Sequence, residues 1–300
     1  MSELATLSKY CNTDTALKIL HSQSLRWSAP HLFGDPFEPD YTLAPELDFD
    51  TVHRSMVRHV VTNMFNDNHD GQPKNQLMNT IQRWREREQF TDEEEAEPIM
   101  RNLLEPVVRN QWAKLSEYYQ AWAEHAKKIR IACFCYKPNI LSAWQHYADN
   151  HHGIVLEFHT GSDTQLQHPE AVVYDENPPV LTTLRDQVAT MLGRSKGADE
   201  KHFQQMHLHK NKLEQLNKEW RCIKKDHDSD PSDDPDTWYS YYKFPTSELK
   251  SVYFGVSIAA EKRQQLAKLI KEKFPLTKMY QAKRVSGKYA LEFVSWRCDA

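Results

Sequence analysis

"IRIACFCYKPNILSAWQHYADNHHGIVLEFH", residues 129–159, decides the fold. "IRIACFCY" (129–136) alternates apolar and other residues as a strand does. "ILSAWQHYADN" (140–150) reads as a short helix, Gly153 as its stop and "IVLEF" as the next strand. The helix also carries His146, and His151 and His152 follow it. On a helix His146 and His151 lie about 140° apart, so they do not share a face. His146, Asp149 and His152 could still form a three-ligand metal site. Alternatively, His146 orients or packs, and His151 and His152 are cations favoured at a helix C-terminus.

The same texture recurs on both sides. Residues 6–29 read as strand, short helix and strand, followed by a turn, "HLFGDPFEPD", in which Pro36, Pro39, Asp35 and Asp40 restrict the backbone. Further strands are expected at "AVVYD" (171–175), "EWRCIKK" (219–225), "LKSVYFG" (249–255), "TKMYQAKR" and "YALEFVSW". Helices are expected at "PPVLTTLRDQVATML", "ADEKHFQQMHLHKNKLEQLN" and "SIAAEKRQQLAKLIKEKF". Between them, residues 40–128 are helical in period and rich in charge, with an acidic linker "TDEEEAE" and two prolines, Pro98 and Pro106, expected to break the third segment. The expected architecture is α+β. Residues 1–39 and 129–300 form a core domain around a mixed or antiparallel sheet, and 40–128 is an all-helical insertion.

Composition narrows the chemistry. Lys and Arg number 38 and Asp and Glu 42, a net charge of −4, which does not steer the chain to nucleic acid. Eight glycines, with no GxGxxG and no GxxxxGK[ST], argue against Rossmann and P-loop enzymes. There is no GxSxG for a serine hydrolase. Five cysteines without a CxxC suit free thiols in a reducing cytoplasm, and no apolar run approaches the roughly 20 residues of a membrane span. The loop "DHDSDPSDDPD" lacks the glycine and glutamate of an EF-hand and reads as solvated. His207 and His209 fall on different helix faces, which suits a surface role. Cys133 and Cys135 share a strand face, where packing is the simpler role. In "NKEWRCI" (217–223), Glu219 and Arg221 share one strand face and Trp220 and Cys222 the other.

Taken in order, "LSKY", "ILHSQSLRWSAPHLFGDPFE", "CFCYKPNILSAWQHYADNHHGIVLEF", "NKEWR" and "LKSVYFG" resemble the bacterial domain of unknown function 2971 family. The likeness covers about residues 7–38 and 129–295, and the helical region varies in such proteins. Three departures stand out: Gly34 where the pattern has Asn, Cys135 where it has Ser, and Asn217 where a YExE motif has its first Glu. Glu219 keeps the second.

The opening strand–helix–strand also resembles the start of ADP-ribosyltransferase-like folds. That resemblance implies NAD contacts from Lys9 or Tyr10 and from Arg26 and Ser28, with Glu219 completing the site. It implies NAD as a co-substrate, with no permanently bound cofactor and no metal. Cleaving the nicotinamide–ribose bond passes through an oxocarbenium-like state, which a carboxylate such as Glu219 stabilises. Tyr10, Trp27 or Tyr147 would wall the nicotinamide, and Lys9, Arg26 or Arg221 would meet the diphosphate. His146 and Tyr147 belong to the candidate set if they face Glu219. The competing role for Trp27, Phe33, Phe37, Trp144 and Tyr147 is a core, with Asp35 fixing a turn.

The expected activity is therefore an NAD- or nucleotide-acting enzyme serving as a bacterial toxin or anti-phage effector. Its helical insertion would meet a macromolecular target or regulatory protein. The alternative is a non-catalytic sensor or interaction module, and a metal-dependent nuclease is the least supported.

Overall fold

The computed structural model describes residues 4–35, 37, 47–65, 75–195, 200–225 and 234–297. In chain order the elements are β1 (Thr6–Cys11), α1 (Thr13–Ser22), β2 (Ser24–Ser28), α2 (Phe49–Phe65), α3 (Gln76–Glu86), α4 (Glu93–Lys128), β3 (Ile129–Cys135), α5 (Leu141–His146), β4 (Ile154–His159), β5 (Glu170–Ala171), β6 (Val173–Asp175), α6 (Leu184–Met191), α7 (Glu200–Met206), β7 (His209–Asn211), β8 (Glu219–Lys225), β9 (Tyr239–Lys243), β10 (Leu249–Phe254), α8 (Ala260–Lys273), β11 (Lys278–Arg284) and β12 (Leu291–Ser295). The class is α+β with a mixed sheet.

Two compact units divide the chain. One comprises Met1–Pro39, Ala126–Pro178 and His207–Ala300, and the other Asp40–His125 and Pro179–Met206. The helical unit therefore takes in Pro179–Met206, which sequence reading leaves in the core domain. α6 has a closed capping box, in which Thr183 and Asp186 bond each other's backbone and side chain. It also supplies Val188 and Met191 to the apolar core that α2, α3 and α4 build. That packing explains the reassignment.

The first unit is built on a 10-stranded sheet in the order β12-β11-β10-β4-β1-β3-β2-β9, with β8 also on β3 and β5 on β8. Its pairings are antiparallel except β10–β11. Alternation sorts the two faces. Leu7, Leu25, Trp27, Phe134, Leu156 and Val252 join Leu20 of α1 and Ile270 of α8 in one core. Tyr10, Cys135, Val155 and Tyr253 pack with Ala143 and Trp144 of α5 in another. Asn12 starts α1 by accepting the Thr15 N–H, and Gln23, at φ 52°, ends it.

Strand β3 has three partners. One edge runs along β8 from Ile129↔Lys225 to Cys135↔Glu219. On its other side β1 pairs at Ser8↔Cys135 and β2 at Ser28↔Ile131. Between those two points β1 and β2 part.

Several expectations are corrected. Pro98 and Pro106 do not break the third helical segment, since α4 runs unbroken for 36 residues. Burial of Met100, Leu104, Val108 and Leu115 along it offsets the local cost of a missing hydrogen bond. The acidic "TDEEEAE" is not a linker: Asp92 accepts the Glu95 N–H, and Glu93, Glu94 and Glu95 form the first turn of α4, where carboxylates suit the dipole. The span 198–217 is not one helix, because α7 stops at Met206 and β7 pairs parallel with β6. "AVVYD" is divided at Val172, between β5 on β8 and β6 on β7. Sequence reading did not mark β9. The turn at Asp35 is present, with its carboxylate accepting the Phe37 N–H. Pro36, Pro39 and Asp40, and most of the acidic loop at 224–236, lie outside the described residues.

Gly153 is not the stop of α5. That helix ends at His146, and the chain turns through Asp149, Asn150 and His151, all at positive φ. Gly153 is needed because the backbone of β1 comes too close for a side chain: a Cβ there would lie 2.2 Å from the Cys11 carbonyl oxygen. Gly153→Ala should therefore destabilise the protein by about 1–3 kcal/mol or more, the scale of overpacking, because the clash is with backbone. Chemical denaturation of the two proteins measures it.

Candidate functional site

Where β1 and β2 part, a cleft of about 610 Å³ opens. It is lined from β1, α1, β2, β3, α5, β7 and β8, all within the first unit. Lys9, Arg26, Ser28, His146, Tyr147, Glu219 and Arg221, seven of the residues singled out from sequence, line it together. Tyr10 also lines it, and Trp27 does not.

Glu219 opens β8 opposite Cys135, and Arg221 follows opposite Cys133. The carboxylate is only 5% exposed. Arg221 Nε donates to its Oε1 at 2.8 Å, and Lys210 Nζ to its Oε2 at 3.2 Å. Burial pushes the Glu219 pKa up. The charges of Arg221 and Lys210, the Arg221 hydrogen bond and a bond from the Cys133 thiol together outweigh it and hold the group below the ordinary carboxylate value. Glu219 is thus an ionised carboxylate inside the protein. Its backbone N–H donates to the Tyr174 hydroxyl at 2.7 Å. Arg221 also donates to the His207 carbonyl at 2.6 Å, and its guanidinium lies 5.2 Å from the centre of the Phe33 ring.

Further cations line the same cleft. Lys9 Nζ reaches the Cys133 carbonyl at 2.8 Å, a strand oxygen that lies between the two points where β1 and β2 pair with β3. Arg26 is exposed and stacks 4.9 Å over Tyr239, and Lys18 of α1 adds a third charge. The charged Lys, Arg, Asp and Glu side chains around the cleft are Lys9, Lys18, Arg26, Lys210 and Arg221 against Glu219 alone. In a chain of net charge −4, this concentrates positive potential on one cavity, the arrangement that attracts an anion.

Tyr147 stands on α5's C-terminal side, 37% exposed. Its hydroxyl accepts from Asn217 Nδ2 at 3.1 Å and lies 3.5 Å from Glu214 Oε2. Burial raises the Tyr147 pKa far above its ordinary value, so the hydroxyl keeps its proton. His146 is exposed beside it, the two rings 6.2 Å apart. Ser28 lines the cleft and is buried.

Of the expected ligand walls, Trp27 is turned away from the cleft, and Tyr10 lines it while also serving as an anchor. Trp27 is fully buried in the core on the other face of β2, edge-on to Tyr242. The alternation that puts Arg26 and Ser28 in the cleft turns Trp27 away. The Tyr10 ring packs edge-on against Trp144, and its hydroxyl is used twice: it donates to the Lys137 carbonyl at 2.7 Å and accepts the Ile140 N–H at 3.0 Å. It anchors the entry to α5. His207 is not on the surface but 1% exposed, while His209 is half-buried on β7.

Sequence reading missed Lys210, Glu214 and Tyr174. All three depend on the β6–β7 pairing and the turn after it, which no local pattern announces. Among the described residues no cluster of three His, Cys, Asp or Glu side chains is disposed to hold a metal ion, and no helix is long and apolar enough to cross a membrane.

Tyr10→Phe leaves the buried Ile140 N–H without its partner and should cost about 1–3 kcal/mol of stability. Arg26→Ala, at an exposed site, should cost within about 0.5 kcal/mol. Parallel denaturation curves separate the anchor from the cleft cation. Comparison of the chain with family models, curated proteins and solved structures finds no match.

Proposed function

We propose that the cleft takes a dinucleotide, NAD foremost, and that the protein is an ADP-ribosyltransferase-like enzyme or NAD glycohydrolase. The observation that carries this reading is a single ionised carboxylate, Glu219, set among five cations in a cavity that also holds Ser28 and Tyr147. The order of motifs, which resembles the domain of unknown function 2971 family, supports the same reading of the core.

The roles follow from charge. Lys9, Lys18 and Arg26 meet the diphosphate. Tyr147 offers a partly exposed ring to the nicotinamide. The C1′–N bond breaks with its electron pair leaving on nicotinamide, which departs neutral. Glu219 stabilises the positive charge left on the ribose. A nucleophile of the acceptor, or water, then bonds to C1′ and gives up its proton, for which exposed His146 is the nearest base on α5. Consumption of NAD suits a toxin or anti-phage effector, and the helical unit is the natural place for target or regulator contacts.

One observation favours a second reading, that of a non-catalytic sensor or interaction module. Both oxygens of Glu219 already have cationic partners, as in a structural ion pair. Purified protein incubated with NAD distinguishes the two. The enzyme reading expects nicotinamide release, reduced about 10²–10³-fold in Glu219→Gln, and a growth defect on expression that the variant relieves. No turnover with any acceptor and no growth defect overturn it. Under the sensor reading Glu219→Gln keeps its cellular effect, while substitution of exposed Ile99 and Leu103 on α4 removes it. Trp84 and Trp112 are unsuitable for that test, because both pack against the helical core.

A further inference from the structure

Residues Lys212–Asn217, a 3₁₀ turn, form a strap between β7 and β8, immediately before Glu219. Its outer side is bare: Leu213 is 87% exposed and Leu216 66%. Its inner side is polar and closely tied. Lys210, only 8% exposed in its side chain, places Nζ 2.8 Å from Glu214 Oε2 on the strap and 3.2 Å from Glu219 Oε2 at the cleft. The same Glu214 oxygen lies 3.5 Å from the Tyr147 hydroxyl, and Asn217, at the strap's end, donates to that hydroxyl. One ammonium thus joins the strap, the cleft carboxylate and the tyrosine on the wall.

We infer that Lys210 is the positioning residue of the cleft: by bridging Glu214 and Glu219 it pins the strap and, through it, Tyr147. The inference goes beyond the catalytic reading and holds whether the ligand is cleaved or only bound. Lys210 lines the cleft but is given no reacting atom; it acts through the two carboxylates it holds.

Charge balance makes the role specific. Lys210 and Arg221 offset Glu214 and Glu219, two charges against two. Cys133 and Cys135 on β3, Tyr174 on β6 and Tyr147 after α5 also face Glu219, and the Lys9 ammonium lines the same cleft. Removing Lys210 would leave Glu219 its bond from Arg221 and take from Glu214 the ammonium it shares with Glu219. Glu219 would then hold its proton to higher pH. Removing Glu214 instead leaves Lys210 wholly to Glu219 and acts in the opposite direction.

The sign for stability follows. A carboxylate held below its ordinary value contributes stability that is complete above that value and lost as pH falls through the lowered one. Lys210→Met should therefore lose most stability near neutral pH, and the gap from the parent should narrow as pH falls. Lys210→Arg, which keeps the charge, should track the parent at every pH.

The experiment combines thermal unfolding from acid to neutral pH with hydrogen exchange of the full chain. In Lys210→Met and Glu214→Gln the amides of 212–217 should exchange about tenfold faster, the loss of one charge-assisted hydrogen bond, with β4 unchanged. Lys210→Arg should restore protection. Unaltered exchange in the strap, or a stability gap for Lys210→Met that does not vary with pH, overturns the inference. If Lys210→Met does not fold, Glu214→Gln and Lys210→Arg still decide it: a strap loosened in the first and protected in the second supports it, and any other pattern overturns it. Neither readout needs substrate. A protein that leaves NAD intact yet loosens its strap as described rejects the catalytic reading and keeps this one.

Discussion

A strand has two edges, and β3 has three partners. β8 takes the whole of one edge, so β1 and β2 divide the other at Cys135 and Ile131. Everything of interest in the first unit follows from that shortage. The two strands part, a cavity opens between them, and a backbone oxygen that lies between the two pairing points is met by the Lys9 ammonium. The contact satisfies a carbonyl and fixes a cation inside the opening at once. β8 in turn delivers Glu219 and Arg221 to the same place, because each faces a cysteine of β3 in register.

The buried charges of this region are balanced by structure that is local in space and distant in sequence. A carboxylate as buried as Glu219 would, unaided, take up a proton. Arg221 from the same strand and Lys210 from the small β6–β7 sheet prevent it. Glu157 on β4 shows the same physics away from the cleft. Burial raises its pKa, yet bonds from Lys250, Tyr253 and Thr6 bring it below the ordinary value. Glu248 is the contrast. Among the described residues its bonded donor is the Gln165 backbone N–H; the Lys224 charge helps without a hydrogen bond, and burial wins, raising it. A cation in direct hydrogen bond with the carboxylate, as Glu219 and Glu157 have, separates these cases.

What the sequence discloses depends on the range of the interaction. Period-two alternation in "EWRCIKK" is enough to put Glu219 and Arg221 on one face, and the structure keeps them there. The same rule applied to "SLRWS" already sets Trp27 against Arg26 and Ser28, so its exclusion from the cleft was legible. Tyr10 was not. Its phase suits the cleft, and only the distant Lys137 and Ile140 backbone reveals that its hydroxyl is committed. Lys210 was hidden for a different reason. The apolar spacing over 198–217 suits a helix, and a three-residue parallel pairing with β6 leaves no local mark. Pro98 and Pro106 mislead in the reverse direction, because a local cost is overridden by side chains buried far along the same helix. The split of β3's free edge, on which the cavity depends, is a property of strand order and is written in no single segment.

The strap before Glu219 is held by Lys210, Glu214 and Asn217 on its inner side and by the exposed Lys212–Glu176 pair, while Leu213 and Leu216 face outward with most of their surface in water. Folding gains little from either leucine, so their replacement by polar residues would leave the native state about as stable. Any selective pressure that keeps positions 213 and 216 apolar therefore acts on something other than folding.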